Sequence, residues 1–294
     1  MTYMTTFKSM IAGVVLMASS AAADTITVGG KAFTEQLILA EMTTQLLDAK
    51  GYDVKKADGM GTTVVRAALE NGAVDIYWEY TGTSLVTFNK VTERLSPADT
   101  YARVKMLDGE KGLIWLAPSN ANNTYALAVR SNNPTTDGIK SLSDLAAAYN
   151  DGQSVLLATT AEFPKRDDGL LGLQSSYSFK AGRANIRPMD GGLVFNALNT
   201  ENVDVAVVGA TDGRIAAMNL RLLQDDKSFF PNYALVPVVR AEVLKANPDL
   251  QEQLETVSGM LDDITMQRLN GMVDVEKKTV EEVATSYLQE QGLI

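Results

Sequence analysis

Apolar positions along the chain switch repeatedly between two periods. Short apolar or alternating runs predict strands over residues 25–29, 54–57, 74–78, 126–130, 155–158 and 203–208. Between them, apolar residues recur every three or four positions, the spacing of a half-buried helix. Leu37, Ile38, Met42 and Leu46 share one face of a helix over 34–50, which Gly51 closes where a left-handed glycine is favoured. Further helices are expected over 62–71, 97–107 and 169–177. Ser141-x-x-Asp144 is a capping-box signature for a helix running to Tyr149, and Thr279-x-x-Glu282 starts another with Val280, Val283, Ala284, Tyr287 and Leu288 on one face. Asn247-Pro248 predicts an N-cap and first-turn proline for a helix carrying Leu250, Leu254 and Val257.

Strand and helix alternate from Asp24 onward, the pattern of an α/β protein whose buried strands run mostly parallel. A chain of 294 residues exceeds what one compact core usually takes, so two lobes are expected. An internal correspondence supports the division: Val65, Ala68, Leu69, Val74 and Asp75 recur at a constant offset as Val194, Ala197, Leu198, Val203 and Asp204. Glycines precede both sets, Gly59 and Gly61 in one and Gly191 and Gly192 in the other. Residues 129–133 and 230–233, rich in Asn and Pro turn signals, are the expected crossings between lobes. That division assigns residues 24–129 and 231–294 to lobe 1 and residues 130–230 to lobe 2.

Composition narrows the chemistry. The chain has no histidine and no cysteine, which removes disulfides, thiol nucleophiles, the usual general base and most transition-metal sites; no cofactor is implied. The formal net charge of -10 argues against a nucleic-acid partner, which requires concentrated Lys and Arg. At the N-terminus, Lys8 precedes an apolar run over 10–18 and a small-residue stretch with Ala21 and Ala23 before Asp24, the form of a cleavable secretory signal over residues 1–23. No cysteine follows for a lipid anchor, and no later segment is long and apolar enough to span a bilayer. An exported, periplasmic protein that functions as a monomer is expected.

Candidate site residues collect where strands end, which is where open α/β sheets bind ligands. Gly29-Gly30 leads through Lys31 to a helix starting at Thr34, and Gly61-Thr62 opens the next helix; such corners present free backbone N–H groups and the positive end of a helix dipole. An ordinary βα turn with a solvated lysine has the same pattern, and the spacing of a nucleotide-binding P-loop is absent. Trp78-Glu79-Tyr80-Thr81-Gly82-Thr83 combines aromatic rings with a carboxylate, which suits a cation. Asn122-Asn123-Thr124-Tyr125 and Phe229-Phe230-Pro231-Asn232-Tyr233 bring aromatics to the crossings, where they line a cleft or pack the hinge. Asp75 and Asp204 read as caps for local backbone N–H groups. Glu162, Arg166, Asp167 and Asp168 read as a solvated charged loop, with Arg166 available to a ligand carboxylate. Glu79 and Glu35 are the carboxylates an enzyme would use as base.

The stretches GGKAFTEQLILAEM, DGMGTTVVRAALENGAVDIYWEYTGTS, NNTYALAVR, EFPKRDDGLLGL and TDGRIAAMNLRLLQDDKSFFPNYALVPVVR, in this order over nearly the whole mature chain, resemble the substrate-binding proteins of osmoprotectant ABC importers, which take up glycine betaine, choline, carnitine and related quaternary amines. The resemblance implies a two-lobed periplasmic-binding-protein fold, type II-like, with two hinge crossings, and ABC permease subunits as partners. It implies that Lys31 faces the ligand from the first loop and that Gly61 and Thr62 do so from the second. It further places Tyr80, Thr83, Asn123, Tyr125 and Tyr233 at ligand-contacting positions, with Lys31 and the helix starts at Thr34 and Thr62 holding any ligand carboxylate. One position departs: where members with a full aromatic cage carry an aromatic residue, this chain has Gly209, a loss of about 0.5–2 kcal/mol of cation–π enclosure. An amino acid or another metabolite as ligand, or a role as a sensor module, stays open at this point.

Overall fold

The computed structural model describes Met1 and residues 25–294; the rest of the expected leader, residues 2–23, and Asp24 lie outside the described residues. The chain begins with β1 (Ile26–Lys31), α1 (Thr34–Ala49), β2 (Val54–Met60), α2 (Thr62–Asn71), β3 (Ile76–Tyr80), α3 (Pro97–Gly109) and β4 (Leu113–Trp115). It continues through β5 (Tyr125–Arg130), α4 (Leu142–Asn150), β6 (Leu157–Thr160), α5 (Leu170–Tyr177), β7 (Ile186–Met189), α6 (Leu193–Asn199), β8 (Val205–Gly209), α7 (Arg214–Ala217) and β9 (Leu220–Leu222). It closes with β10 (Leu235–Arg240), α8 (Ala241–Ala246), α9 (Leu250–Gly259), α10 (Asp263–Asp274) and α11 (Val280–Glu290).

Two five-stranded sheets result, in the orders β2-β1-β3-β10-β4 and β7-β6-β8-β5-β9. The orders are the same once β1 is set against β6, β2 against β7, β3 against β8, β10 against β5 and β4 against β9. Each sheet runs mostly parallel, with one antiparallel strand, β10 in the first and β5 in the second. That strand is the one that enters the sheet from the other lobe, so its direction follows from the crossing. The internal correspondence extends to hydrogen bonds: Asp75 accepts from the Thr27 backbone N–H and Asp204 from that of Leu156, each at a separation of 48 residues. Both carboxylates thus tie the start of one strand to the start of its neighbour.

The first crossing departs from expectation. The whole of β5 pairs with β8 and β9, so the chain has left the first sheet before Tyr125 rather than at 129–133. The apolar alternation Leu127, Val129 that suggested a strand already belongs to the second core. At the return, Phe229 and Phe230 pack on the second core, and Tyr233 on the first. Asn247 also differs. It ends α8, with its side-chain amide donating to the Val243 carbonyl, and α9 starts past Pro248 with Asp249 as N-cap. Both capping boxes form. Among the described residues, no helix is long and apolar enough to cross a membrane.

Cores lie on both faces of each sheet. Ile38, Met42 and Leu46 of α1 pack with Val283, Ala284, Tyr287 and Leu288 of α11, while Val65 and Leu69 of α2 meet Trp115 on the opposite face of the first sheet. Leu37 is only half-buried because it borders the cleft described below. A buried polar knot anchors the second of these faces. Asp108 of α3 accepts two hydrogen bonds of 2.7 Å from the Arg66 guanidinium, one of 2.7 Å from Ser84 and one of 2.9 Å from the Trp115 indole. Ser84 lies in a π-helical turn, Thr83–Phe88, that the periodicity did not predict.

Arg66 and its neighbouring donors hold the folded Asp108 carboxyl well below the usual range although burial works against it. A group depressed in the folded state contributes stability above its unfolded value, about 4, and loses it as pH falls through the folded value. Asp108→Asn is therefore expected to cost about 3–5 kcal/mol near neutral pH by leaving Arg66 buried without its partner. The gap from wild type in denaturant melts should narrow from pH 7 to pH 3. A pH-independent gap would rule out this ion pair as the source.

Candidate ligand-binding cleft

The carboxyl ends of β1 and β3 face those of β6 and β8 across a cleft of about 500 Å³. All nine residues singled out from the sequence line it. What holds each side chain differs from residue to residue.

Lys31, the last residue of β1, is 2% exposed. Its ammonium donates to Glu79 on β3, which also accepts from the Tyr77 hydroxyl at 2.8 Å and the Tyr80 backbone N–H at 2.7 Å. Burial pulls the Lys31 pKa down and the Glu79 charge opposes the shift. The ammonium also stands 4.8 Å from the centroid of the Tyr80 ring and covers one of its faces. Lys31 therefore builds the wall of the cleft with its charge already paired.

Tyr80 reaches to Glu35 in the first turn of α1, donating its hydroxyl at 2.7 Å. Glu35 is buried, and its two oxygens also accept from Asn123 at 2.7 Å, Thr211 at 2.5 Å and Asn270 at 3.1 Å. These four donors come from lobe 1 (Tyr80 and Asn270), the first crossing (Asn123) and lobe 2 (Thr211), so one carboxylate joins both lobes and the hinge. All four are neutral. Thr34 donates to Asp274 of α10 at 2.7 Å, which keeps its hydroxyl on the protein side. Gly61 and Thr62 form the N-cap and first residue of α2, as the turn glycine predicted, and the cap is made without a side-chain bond.

The aromatic part of the cleft gathers at the crossings. Tyr125 packs edge-on to Tyr233 at 5.4 Å between centroids and to Phe163 at 5.2 Å. Burial raises the Tyr125 pKa to about 12, so its phenol stays neutral at physiological pH. Tyr233 donates its hydroxyl at 2.7 Å to Asp168, which also takes the Arg166 guanidinium in a two-point ion pair. Arg166 lies 5.6 Å from the Tyr125 centroid and is buried. The solvated loop expected for Arg166 and Asp168 is thus an inward-turned one: Gly169, packed against the Phe163 carbonyl, bends the chain back over the second core. Thr83 stands at the start of the π-helical turn, beyond Gly82. A Cβ on Gly82 would come within 2.8 Å of the Asn232 carbonyl, so glycine is what lets β3 approach the return crossing.

Gly209 ends β8 as Tyr80 ends β3, at equivalent places in the two sheets. A Cβ at residue 209 would lie 2.2 Å from Oδ1 of Asn123. The space of the missing aromatic wall is therefore occupied by the Asn123 amide, held by its bond to Glu35. A tyrosine at 209 would have to displace it.

Glu35, Phe33, Glu162, Asp190 and Phe195, outside the nine, also line the cleft. The internal offset held the signal. Applied to 31–34 and 61–63, it points to 160–163 and 190–192, the stretches through which lobe 2 faces the cleft.

Residues 24–290 match the family described as the substrate binding domain of the ABC-type glycine betaine transport system. The chain belongs to this family. The glycine-betaine-binding protein of Pseudomonas aeruginosa is 44% identical over 283 residues, covering 94% of this chain and 91% of the relative. Glycine betaine-binding protein YehZ of Escherichia coli is 36% identical over 280 residues, covering 92% of each. A solved structure described as a glycine betaine/carnitine/choline ABC transporter superposes with a TM-score of 0.72 at 30% identity, covering 91% of this chain and 99% of that one. The two sheets of this binding protein are the two lobes of the periplasmic-binding-protein fold, and the resemblance carried by its motifs is that of the family.

Proposed function

We propose that this chain captures a small osmolyte bearing a quaternary or similar cationic amine between its lobes and hands it to the permease subunits of an ABC importer. The observation that carries this reading is the convergence of Tyr80, Tyr125 and Tyr233 on a cleft between lobes. Aromatic faces attract a cation that cannot donate hydrogen bonds, and the attraction strengthens as closure removes water. Ligand contacts made by both lobes exist only when the cleft is shut, so binding shifts the population to the closed form.

Lys31 is read here as a wall with its charge committed to Glu79, rather than as the group that holds a ligand carboxylate. That role falls to Arg166, whose Nη1 has no hydrogen-bond partner among the described residues, and to the α2 N-terminus. Base chemistry finds little purchase, since Glu35 is surrounded by four donors and Glu79 is paired with Lys31. We further infer that residues 1–23 are removed on export to the periplasm, because the family match begins at residue 24, and that the mature protein acts as a monomer. The Asn123 amide standing where an aromatic wall is missing also suits a ligand with one polar face.

Calorimetric titration of the purified mature protein, stripped of co-purified ligand, with glycine betaine, choline, carnitine and proline betaine tests the reading. Micromolar or tighter binding of at least one is expected. Heat from none of the four would reject quaternary amines and leave an amino acid or another metabolite as the ligand.

A further inference from the structure

The cations that line the cleft are Lys31, Arg166 and Arg214, and each is paired with a carboxylate of the protein, Glu79, Asp168 and Asp212, Arg166 keeping only Nη1 without a partner among the described residues. Arg214 also lies 3.4 Å from Asp274, an ion pair without hydrogen-bond geometry. Glu162 is different. It follows β6 at the mouth of lobe 2, is exposed, and its carboxylate has neither an ion pair nor a hydrogen bond among the described residues. Its Oε1 lies 3.6 Å from where a Cβ on Gly61 would stand, so the side chain reaches across to the α2 corner of lobe 1. Of the cleft's other carboxylates without an ion pair, Glu35 is held by four neutral donors and Asp190 accepts from the Gly192 backbone N–H, so Glu162 is the one left without any partner among the described residues.

We propose that Glu162 is a specificity-determining residue: it supplies the counter-charge for the ligand's cationic group from lobe 2, beside the α2 corner of lobe 1, and so favours ligands of net positive charge over zwitterions. The proposal rests on the quaternary-amine reading above. A free carboxylate attracts the ammonium of either class of ligand, but it repels the carboxylate that a compact zwitterion carries a few bonds away. The two effects largely cancel for a betaine and do not cancel for an amino alcohol. Closing the cleft lowers the effective dielectric around Glu162 and enlarges the difference. Because Glu162 bonds to no other described side chain, replacing it leaves the fold intact.

The experiment is calorimetric titration of wild type, Glu162→Gln and Glu162→Asp with choline and with glycine betaine, alongside thermal melts of the ligand-free proteins. Glu162→Gln is expected to weaken choline about five- to tenfold while changing betaine by less than twofold. Glu162→Asp should recover part of the choline affinity, and the ligand-free melting temperatures should coincide. Raised salt should weaken choline in wild type more than in Glu162→Gln. A choline-to-betaine affinity ratio that Glu162→Gln leaves unchanged would overturn the role of Glu162 while sparing the quaternary-amine reading. Wild type that binds neither probe would overturn the role of Glu162, and the quaternary-amine reading falls with it only if carnitine and proline betaine give no heat either.

Discussion

Replacing Lys31 with methionine is expected to lower the unfolding free energy by about 3–5 kcal/mol, because it strands the Glu79 carboxylate in the interior. Lys31 and Glu79 are 2% and 0% exposed, so water cannot solvate the carboxylate left behind. The Tyr77 hydroxyl and the Tyr80 backbone N–H remain as its donors, but neither carries charge. Adding Glu79→Leu to Lys31→Met should recover most of the loss, since an apolar pair of similar volume escapes the desolvation of both ions. Urea melts of the two variants and wild type decide the matter. A loss below about 1 kcal/mol for the single variant would mean that the pair is solvated or dispensable. The same measurement bears on function, because a lysine tied this firmly into the fold is a poor candidate for a ligand contact.

Tyr80→Ala is expected to weaken binding of a quaternary amine by about 30-fold, the equivalent of a desolvated cation–π contact of about 2 kcal/mol. It also frees Glu35 from one of its four donors, so stability will fall as well. Affinity must therefore be measured well below the melting temperature of the variant. Tyr80→Phe separates the two effects: it keeps the ring and deletes only the hydroxyl, so affinity should stay within a few-fold of wild type while stability drops by about 1 kcal/mol. If Tyr80→Ala binds as tightly as wild type, the ring has no ligand-facing role, and the coverage of one face by Lys31 would explain why.

Several of the structure's features were open to reading in one dimension. Capping is local: Ser141 and Asp144, or Thr279 and Glu282, need only three residues of chain to satisfy each other, so both boxes could be read and both form. The glycine turns before α2 and α6 and the apolar faces of α1, α9 and α11 are likewise set by short-range periodicity. The Asn247-Pro248 pair shows the limit of such reading, since Asn247 finds the Val243 carbonyl behind it and caps the end of α8 instead of the start of α9. The π-helical turn after Gly82 depends on Ser84 meeting Asp108, 24 residues away, and no local pattern announces it.

By itself the sequence determined the alternation of strands and helices, the repeat that makes the two lobes alike, the family, and the places where strand ends bring small and aromatic residues to a cleft. These follow from periodicity, turn chemistry and motif order, all of which act over a few residues. Only the tertiary structure decided how the charges in that cleft are spent. Whether Lys31 faces ligand or Glu79, whether Arg166 is solvated or folded onto Asp168, and whether Gly209 leaves a gap or makes room for Asn123 depend on partners 48, 2 and 86 residues away. A charge in a low-dielectric interior is governed by its nearest opposite charge or dipole in space. Chain separation says little about that distance, so pairing in the cleft could be learned only once the two lobes were folded against each other.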